Sequence, residues 1–451
     1  MKFRRFLAAL PLLAVGAWAA APGVDDLLLP EKIYPQLDAV LKQAVQQSPQ
    51  MINRALDLEI AENNRIGARA GLLPSVGGSY TYSKASDDRA DLNDRVKATK
   101  IYYSLAVTQP IFYWGERRNS ARMGEIQKLI SAGNQREGYR LFAQEIRTQY
   151  LQLIIRRIAL GRSRLANKYN QDALKAAEDR FNKKVISEAE VFGVRLSAER
   201  AQIDEERLSY DFEAAKQSFA RVTGMGQFDE VSLPDQIMEL RYSAPAFDEV
   251  LAGFLAQKDP PTIAAVNMRS QLEIENLNYA NARTRLKPKF NLTAGMTQDE
   301  QSYTLNVAQK YRVNSIYGGV SMYWTIFDGF AAQSATRNAL ARRRQLENDY
   351  RGLTDQLART AQAQVKQLNF SARVMSIYDR TLVATDGSFQ VKKTEFARGA
   401  LSENDVTQAN LGYYDALINA ENYRADYLVK VGEFLGTVAE DPVLANVSFG
   451  K

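Results

Sequence analysis

From about Glu116 to Gly224 an apolar residue recurs every fourth position: Phe142, Ile146, Tyr150, Ile154 and Ile158, then Leu165, Tyr169, Ala173, Ala177 and Phe181. That step lays the side chains along one stripe of an α-helix. No proline interrupts the chain between Pro110 and Pro234, and the run breaks once, near Lys184 to Ser187. At ~1.5 Å per residue the arm from Glu116 to Lys184 would be roughly 100 Å long, against the ~10 to 14 residues of an ordinary globular helix. Such a rod needs partners along its length; a solvated coiled-coil stalk is the plainest reading.

The pattern occurs twice. Leu58-Glu59-Ile60, Asn64, Ala68-Arg69, Leu72 and Pro74 return as Leu272-Glu273-Ile274, Asn278, Ala282-Arg283, Leu286 and Pro288. Further on, Ile111-Phe112, Arg122, Phe181, Ser187-Glu188 and Val191 return as Ile326-Phe327, Arg337, Phe396, Ser402-Glu403 and Val406. Order and spacing kept over so long a stretch identify a duplicated unit. Each unit opens with a helix, about Ser48 to Leu72 and Thr262 to Leu286, ended by the proline that follows.

Two strands come next in each unit. Val76, Gly78, Tyr80 and Tyr82, then Ile101, Tyr103, Leu105 and Val107, alternate with small or hydroxylated neighbours, and a charged loop lies between. In the second unit Phe290, Leu292, Ala294 and Met296, then Ile316, Val320, Met322, Trp324 and Ile326, do the same. Period two gives one apolar and one polar face. The predicted organisation is a leader over 1–21, a first repeat over 22–224 with strands at about 75–113 and a long hairpin at about 116–224, and a linker over 225–261 with a small equatorial helix near Phe247 to Gln257. A second repeat follows over 262–437 with strands at about 289–327 and a hairpin from about 331, broken near Gly399, and then a tail over 438–451.

Composition narrows the function. Lys2, Arg4 and Arg5 precede an apolar stretch from Phe6 to Ala17 and small-residue sites at Ala17-Trp18-Ala19 or Ala19-Ala20-Ala21, the pattern of a secretory signal peptide. No later segment offers the ~20 apolar residues of a membrane-spanning helix. There is no cysteine and no histidine, so disulfides, a lipidated cysteine and Ser-His or Cys-His catalysis are excluded, and metal binding would rest on carboxylates alone. The formal charge of +6 includes the three leader cations and is too even to argue for nucleic acid. No cofactor is expected.

The strands have about ten alternating residues and aromatic ends (Tyr102, Tyr103, Tyr113, Trp114, Tyr317, Tyr323, Trp324), the signature of outer-membrane barrel strands; a soluble sheet packed on the helices is the alternative. Four strands cannot close, and an open edge is forbidden in hydrocarbon, so several chains must share one barrel. Three copies would give twelve strands, though the residues do not themselves fix that number.

The matched units, the strand ends Gln109-Pro110-Ile111-Phe112 and Trp324-Thr325-Ile326-Phe327-Asp328-Gly329, and the breaks at Ser187 and Ser402 resemble the TolC-like outer-membrane efflux proteins, from about Ile33 to Leu435. The resemblance implies a mainly α protein with a membrane β-barrel: a homotrimer with twelve strands in outer-membrane lipid and a long α-helical barrel through the periplasm. It also implies docking on a periplasmic adaptor and an inner-membrane transporter, in efflux or type I secretion. The family's tip, a glycine-containing turn followed by Ser or Thr and an acidic residue, is matched by Gly399-Ala400-Leu401-Ser402 and Asp405.

By the same resemblance Asp405 would face the axis, where three carboxylates in a ring attract cations; a carboxylate near a helix N-terminus is also favourable on its own account. The first tip departs from the family, with Lys183-Lys184-Val185-Ile186 where glycine is usual. Glu190 takes the acidic position, and Gln408 stands where some members carry a second acid. The expected constriction residues are Asp405, Gln408 and Glu190. The expected adaptor contacts are Lys184, Val185, Ile186 and Ser187 in one tip and Gly399, Ala400, Leu401 and Ser402 in the other, in grooves that receive a helical hairpin.

Two other functions compete. A periplasmic coiled-coil adaptor or structural protein without a pore would also use long hairpins, but duplicated hairpins with four aromatic-ended strands argue against it. An enzyme is the weakest reading: carboxylates such as Asp204-Glu205-Glu206 lie among arginines on helical stretches, as on a solvated face.

Overall fold

The computed structural model describes residues 29–88, 95–239, 244–304 and 308–444; the expected leader and the end of the tail lie outside them. Helices α1 (Pro30–Ile33), α2 (Pro35–Gln47) and α3 (Pro49–Ala70) lead into strands β1 (Ser75–Asp87) and β2 (Val96–Phe112), then α4 (Glu116–Asn182) and α5 (Glu188–Thr223). After α6 (Ala244–Leu255) the series repeats as α7 (Ile263–Arg283), β3 (Lys289–Thr304), β4 (Ala308–Tyr323), α8 (Ala331–Ala397) and α9 (Glu403–Thr437). α4 and α8 have 67 residues each, and α5 and α9 have 36 and 35. Lengths this closely matched make the two hairpins copies of one unit.

At ~1.5 Å per residue α4 and α8 are each about 100 Å long, and they run from the sheet to the far turns. Toward the sheet the helices lie in the order α3, α4, α7, α8; toward the far end the order is α5, α4, α9, α8. The shorter helices thus share two lanes. Gly224 lies where α5 gives way to α3: its φ is +76°, and a Cβ there would sit 2.3 Å from the Gln47 carbonyl oxygen. Only glycine fits that approach.

The core is equatorial. Phe142, Ile146, Tyr150 and Ile154 of α4 are buried together with Leu37 and Leu41 of α2, Phe219 of α5, Phe247 of α6, Leu368 of α8 and Phe434 of α9. Beyond that girdle the helices form a wall one layer thick, and the stripe thins until Phe181 is 41% exposed. Arg147 closes the girdle. Its guanidinium donates to both oxygens of Asp441, at 2.8 and 3.0 Å, and to Glu31, tying α1 and the segment after α9 to α4.

Several expectations change. The segment before Ser48 folds as α1 and α2; Leu37, Val40, Leu41 and Ala44 show the helical spacing that could have revealed α2. The strands have 13 to 17 residues rather than about ten, because the ladder continues past the apolar band into polar sequence. β4 ends at Tyr323, so Trp324 and Ile326 lie beyond it. Gly329 and Phe330, both with positive φ, turn the chain into α8, as Trp114 and Gly115 do before α4. The tail is docked as far as it is described, with Asp441 and Val443 buried.

Candidate functional site

The four strands form one antiparallel sheet in sequence order, and the β2–β3 pairing joins the two repeats. Its register separates the faces. One face carries the rows Val76-Val107-Ala294-Gly318 and Gly78-Leu105-Met296-Ile316, with Leu292-Val320 and Phe290-Met322 nearer the helices. The other carries Ser75-Thr108-Thr293-Gly319, Gly77-Ala106-Gly295-Tyr317 and Ser79-Ser104-Thr297-Ser315, with the Ser79 and Ser104 hydroxyls 2.7 Å apart.

Both faces are open in the single chain: Ile316 on the first face is 90% exposed and Tyr317 on the second 45%. An apolar face of that extent suits lipid, and a face of serine and threonine suits water. Aromatic residues mark the helix-side border. The Trp114 indole donates to the Pro288 carbonyl at 2.8 Å and the Trp324 indole to that of Leu286 at 2.9 Å.

At the far end each hairpin turns through the same construction. In the first, Lys184 N–H donates to the Phe181 carbonyl at 2.7 Å and Val185 N–H to that of Arg180 at 2.8 Å. In the second, Gly399 N–H donates to Phe396 at 2.8 Å and Ala400 N–H to Glu395 at 2.9 Å. These bonds close a Schellman-type helix end around a left-handed residue. The next helix then starts with a capping box. Ser402 N–H and Oγ–H donate to Asp405 Oδ2 at 3.1 and 2.6 Å, and Asp405 N–H donates to Ser402 Oγ at 3.3 Å. Ser187 and Glu190 repeat the arrangement at 2.7, 3.0 and 3.3 Å.

The hydrogen bonds from the Ser402 side chain and backbone hold the Asp405 carboxyl below its ordinary range. The Ser187 backbone and side chain do the same for Glu190. Both acids are therefore ionised at neutral pH. Asp405 is half-buried, whereas Glu190 and Gln408 are exposed. Lys184, Val185, Ser187, Gly399, Ala400 and Ser402 are exposed on the turns, and Ile186 and Leu401 are half-buried.

The sequence reading did not find the contacts that join the two hairpins above these turns. Arg162 of α4 donates to both oxygens of Asp415 of α9, at 2.5 and 3.0 Å, and Tyr169 Oη–H donates to Asn404 Oδ1. Arg162 and Tyr169 stand one heptad apart on α4, which is the signal that could have paired them with a neighbouring helix.

The profile of the family described as "Outer membrane efflux protein" matches residues 40–225 and 256–431, one segment for each repeat. The chain belongs to that family. The outer membrane protein TolC of Salmonella enteritidis is 22% identical over 431 residues, covering 91% of this chain and 84% of that protein. Among solved structures, the Campylobacter jejuni CmeC outer membrane channel superposes with a TM-score of 0.68 at 14% identity, over 90% of this chain and 86% of that one. The open state of the Neisseria gonorrhoeae MtrE outer membrane channel gives 0.63 at 16% identity, over 90% of each chain.

The outer membrane efflux family to which the chain belongs is one of channels, not of enzymes. The chain's sheet lies in the outer membrane and its helices reach into the periplasm. The end of the sheet away from the helices therefore faces the exterior.

Proposed function

We propose that three copies of this chain form a passive exit duct, with twelve shared strands in the outer membrane and a helical barrel in the periplasm. The observation that carries this is the pair of open edges on one side each of the sheet and of the helical wall. β1 and β4 each have one unpaired edge, and in hydrocarbon every unpaired backbone group costs several kcal/mol. Below the equator α5 and α8 are the outermost helices. Each shows an exposed apolar stripe: Phe192, Leu196, Ile203 and Tyr210 on α5, and Phe370, Ile377 and Val391 at heptad intervals on α8.

The edges agree in direction. β1 lies on the α3–α5 side and β4 on the α8 side, so one head-to-tail operation joins β4 to the next β1 and α8 to the next α5. A groove along α8, lined by Met375, Asp379, Arg380 and Val383, is open to receive that helix. Two copies would give about eight strands, an interior that side chains fill, whereas about twelve leave a passage.

The duct makes and breaks no bond; a transporter in the inner membrane supplies the energy, and a periplasmic adaptor docks its helical hairpin against the tip residues Lys184 to Ser187 and Gly399 to Ser402. Both efflux of small molecules and type I secretion suit such a duct. Asp405, with Gln408 one turn on and Glu190 in the other hairpin, forms the constriction. The capping bonds engage only Asp405 Oδ2, which leaves Oδ1 to face cations at the axis.

The deciding measurement is the mass of the protein extracted from outer membranes in mild detergent, corrected for bound detergent. Three chains per particle is the expected result. A monomer, or protein confined to the soluble periplasmic fraction, would refute the shared duct.

A further inference from the structure

On the outward face of the sheet the apolar band ends in a basic rim. Arg312 stands ten residues from Met322 on β4, roughly 33 Å along the strand at ~3.3 Å per residue. With a tilt of about 40° that is about 25 Å of height, the height of the apolar band in such barrels. At this level and just beyond it, the side that carries Leu105 and Ile316 presents Arg312 and Lys310 on β4, Lys84 on β1 and Lys97 on β2, against one acid among the described strand residues, Glu300 on β3.

Glu300 does not cancel the rim; it organises it. Its side chain is 10% exposed and accepts from Lys310 Nζ at 2.7 Å and from Arg312 at 2.6 and 2.8 Å, while the two cations remain 59% and 54% exposed. The carboxylate lies beneath and holds an ammonium and a guanidinium side by side, each still more than half exposed. Immediately inside the rim Tyr80 and Tyr103 pack with ring centroids 5.1 Å apart, marking the boundary between hydrocarbon and headgroups.

We propose that this rim binds the phosphate groups of an anionic lipid of the outer leaflet, whose acyl chains lie on the apolar face below. The inference rests on the shared-barrel reading, because the β1 edge with Lys84 and the β4 edge with Lys310 and Arg312 meet only when neighbouring copies join. Each seam then collects cations from two chains. A guanidinium matches phosphate oxygens in bidentate fashion, and a flanking ammonium adds a point charge. The apolar rows beneath select a lipid over a free anion.

The test uses the full-length assembled protein, purified from outer membranes and stripped of lipid. Native mass spectrometry follows its titration with a phosphorylated outer-leaflet glycolipid and with the same lipid after enzymatic removal of its phosphates. The phosphorylated form should bind tightly, and more weakly as salt rises. The triple variant Lys84→Gln, Lys310→Gln, Arg312→Gln should lose on the order of a hundredfold, at roughly fivefold per cation near an anionic surface. Lys84→Gln alone, at an exposed edge, should lose about fivefold, and Lys310→Arg should bind as the parent does. Equal binding of the two lipids, or a triple variant as tight as the parent, would overturn the assignment. Failure of the shared barrel shows itself earlier, as a parent protein that does not assemble before lipid is added, and it removes both readings.

Discussion

Lys184 holds the same left-handed turn that Gly399 holds in the second hairpin: φ is 58° at the lysine and 76° at the glycine. The turn bonds at Val185 and Ala400 have equivalent partners and differ by about a tenth of an ångström. The glycine normally wanted at such a helix end is therefore not required for the geometry, but a Cβ there costs about 1 kcal/mol or more. Nothing stands within 4 Å of a Cβ built on Gly399, so Gly399→Ala should cost about 1 kcal/mol from backbone conformation alone. Lys184→Gly should gain roughly 0.5 kcal/mol, the relief being offset by glycine's extra freedom in the unfolded chain. Amide exchange at Ala400 should speed up in the first variant and that at Val185 slow down in the second; unchanged exchange in both would mean that the turns bear no strain.

Opposite faces of the sheet should tolerate charge differently. Leu105→Arg and Leu292→Arg place a cation on the apolar face and should each cost about 2 to 4 kcal/mol if near the bilayer midplane, lowering the yield of assembled protein in outer membranes. Ser104→Lys and Thr297→Lys, on the polar face, should assemble normally and alter conductance. If both pairs assemble alike, the face assignment is wrong.

Asp405→Asn tests the constriction. Asparagine can still accept from Ser402, so the helix start is kept while the charge is lost. Single-channel recordings should show weaker cation preference and weaker block by divalent cations. Unaltered selectivity and block would leave Asp405 as a cap and nothing more.

Glu421, on α9 and fully buried, accepts from Ile237 N–H at 2.7 Å and from Arg424 at 3.2 Å, and Arg424 also holds Asp379 at 2.9 Å. Burial pushes its carboxyl up to about 7, against the lowering effect of those partners. The folded chain thus keeps this proton where the unfolded chain has released it, so the group's contribution to stability is greatest below the ordinary carboxylate range and declines as pH rises to about 7. The loss amounts to at most about 3 kcal/mol at 1.36 kcal/mol per pH unit. Glu421→Gln keeps an acceptor for Ile237 and should flatten this part of the melting-temperature profile between pH 5 and 8. A variant with the parent's slope would assign the titration to another group, Asp379 being the nearest.

The duplication, the two long hairpins and the alternating strands were legible because each rests on local periodicity: a step of four that keeps Phe142 to Ile158 on one stripe, a step of two that keeps Val76 to Tyr82 on one face, and prolines that end helices. The break positions were legible for the same reason, since Ser187 and Ser402 each begin a helix with an acid three residues on. α2 escaped notice although its four buried residues show the same spacing, and the strands were read too short because polar and charged residues such as Lys84, Lys97, Glu300 and Arg312 interrupt the apolar alternation in their outer halves.

What periodicity could not carry was pairing between distant parts of the chain. Only the tertiary structure brought Arg147 to Asp441 and Glu31, Arg162 to Asp415, and Glu421 to the Ile237 amide, because each joins groups far apart in sequence whose charges look like those of any solvated helix. It also decided the sheet register, and with it that Glu300 lies under Lys310 and Arg312. A strand's own alternation says which residues share a face, but the neighbour across the ladder depends on how the two repeats dock. By itself the sequence determined a repeated hairpin with one apolar stripe and strands with one apolar face, since those follow from local geometry. The packing order that leaves β1, β4, α5 and α8 at open edges follows from folding the two repeats against each other.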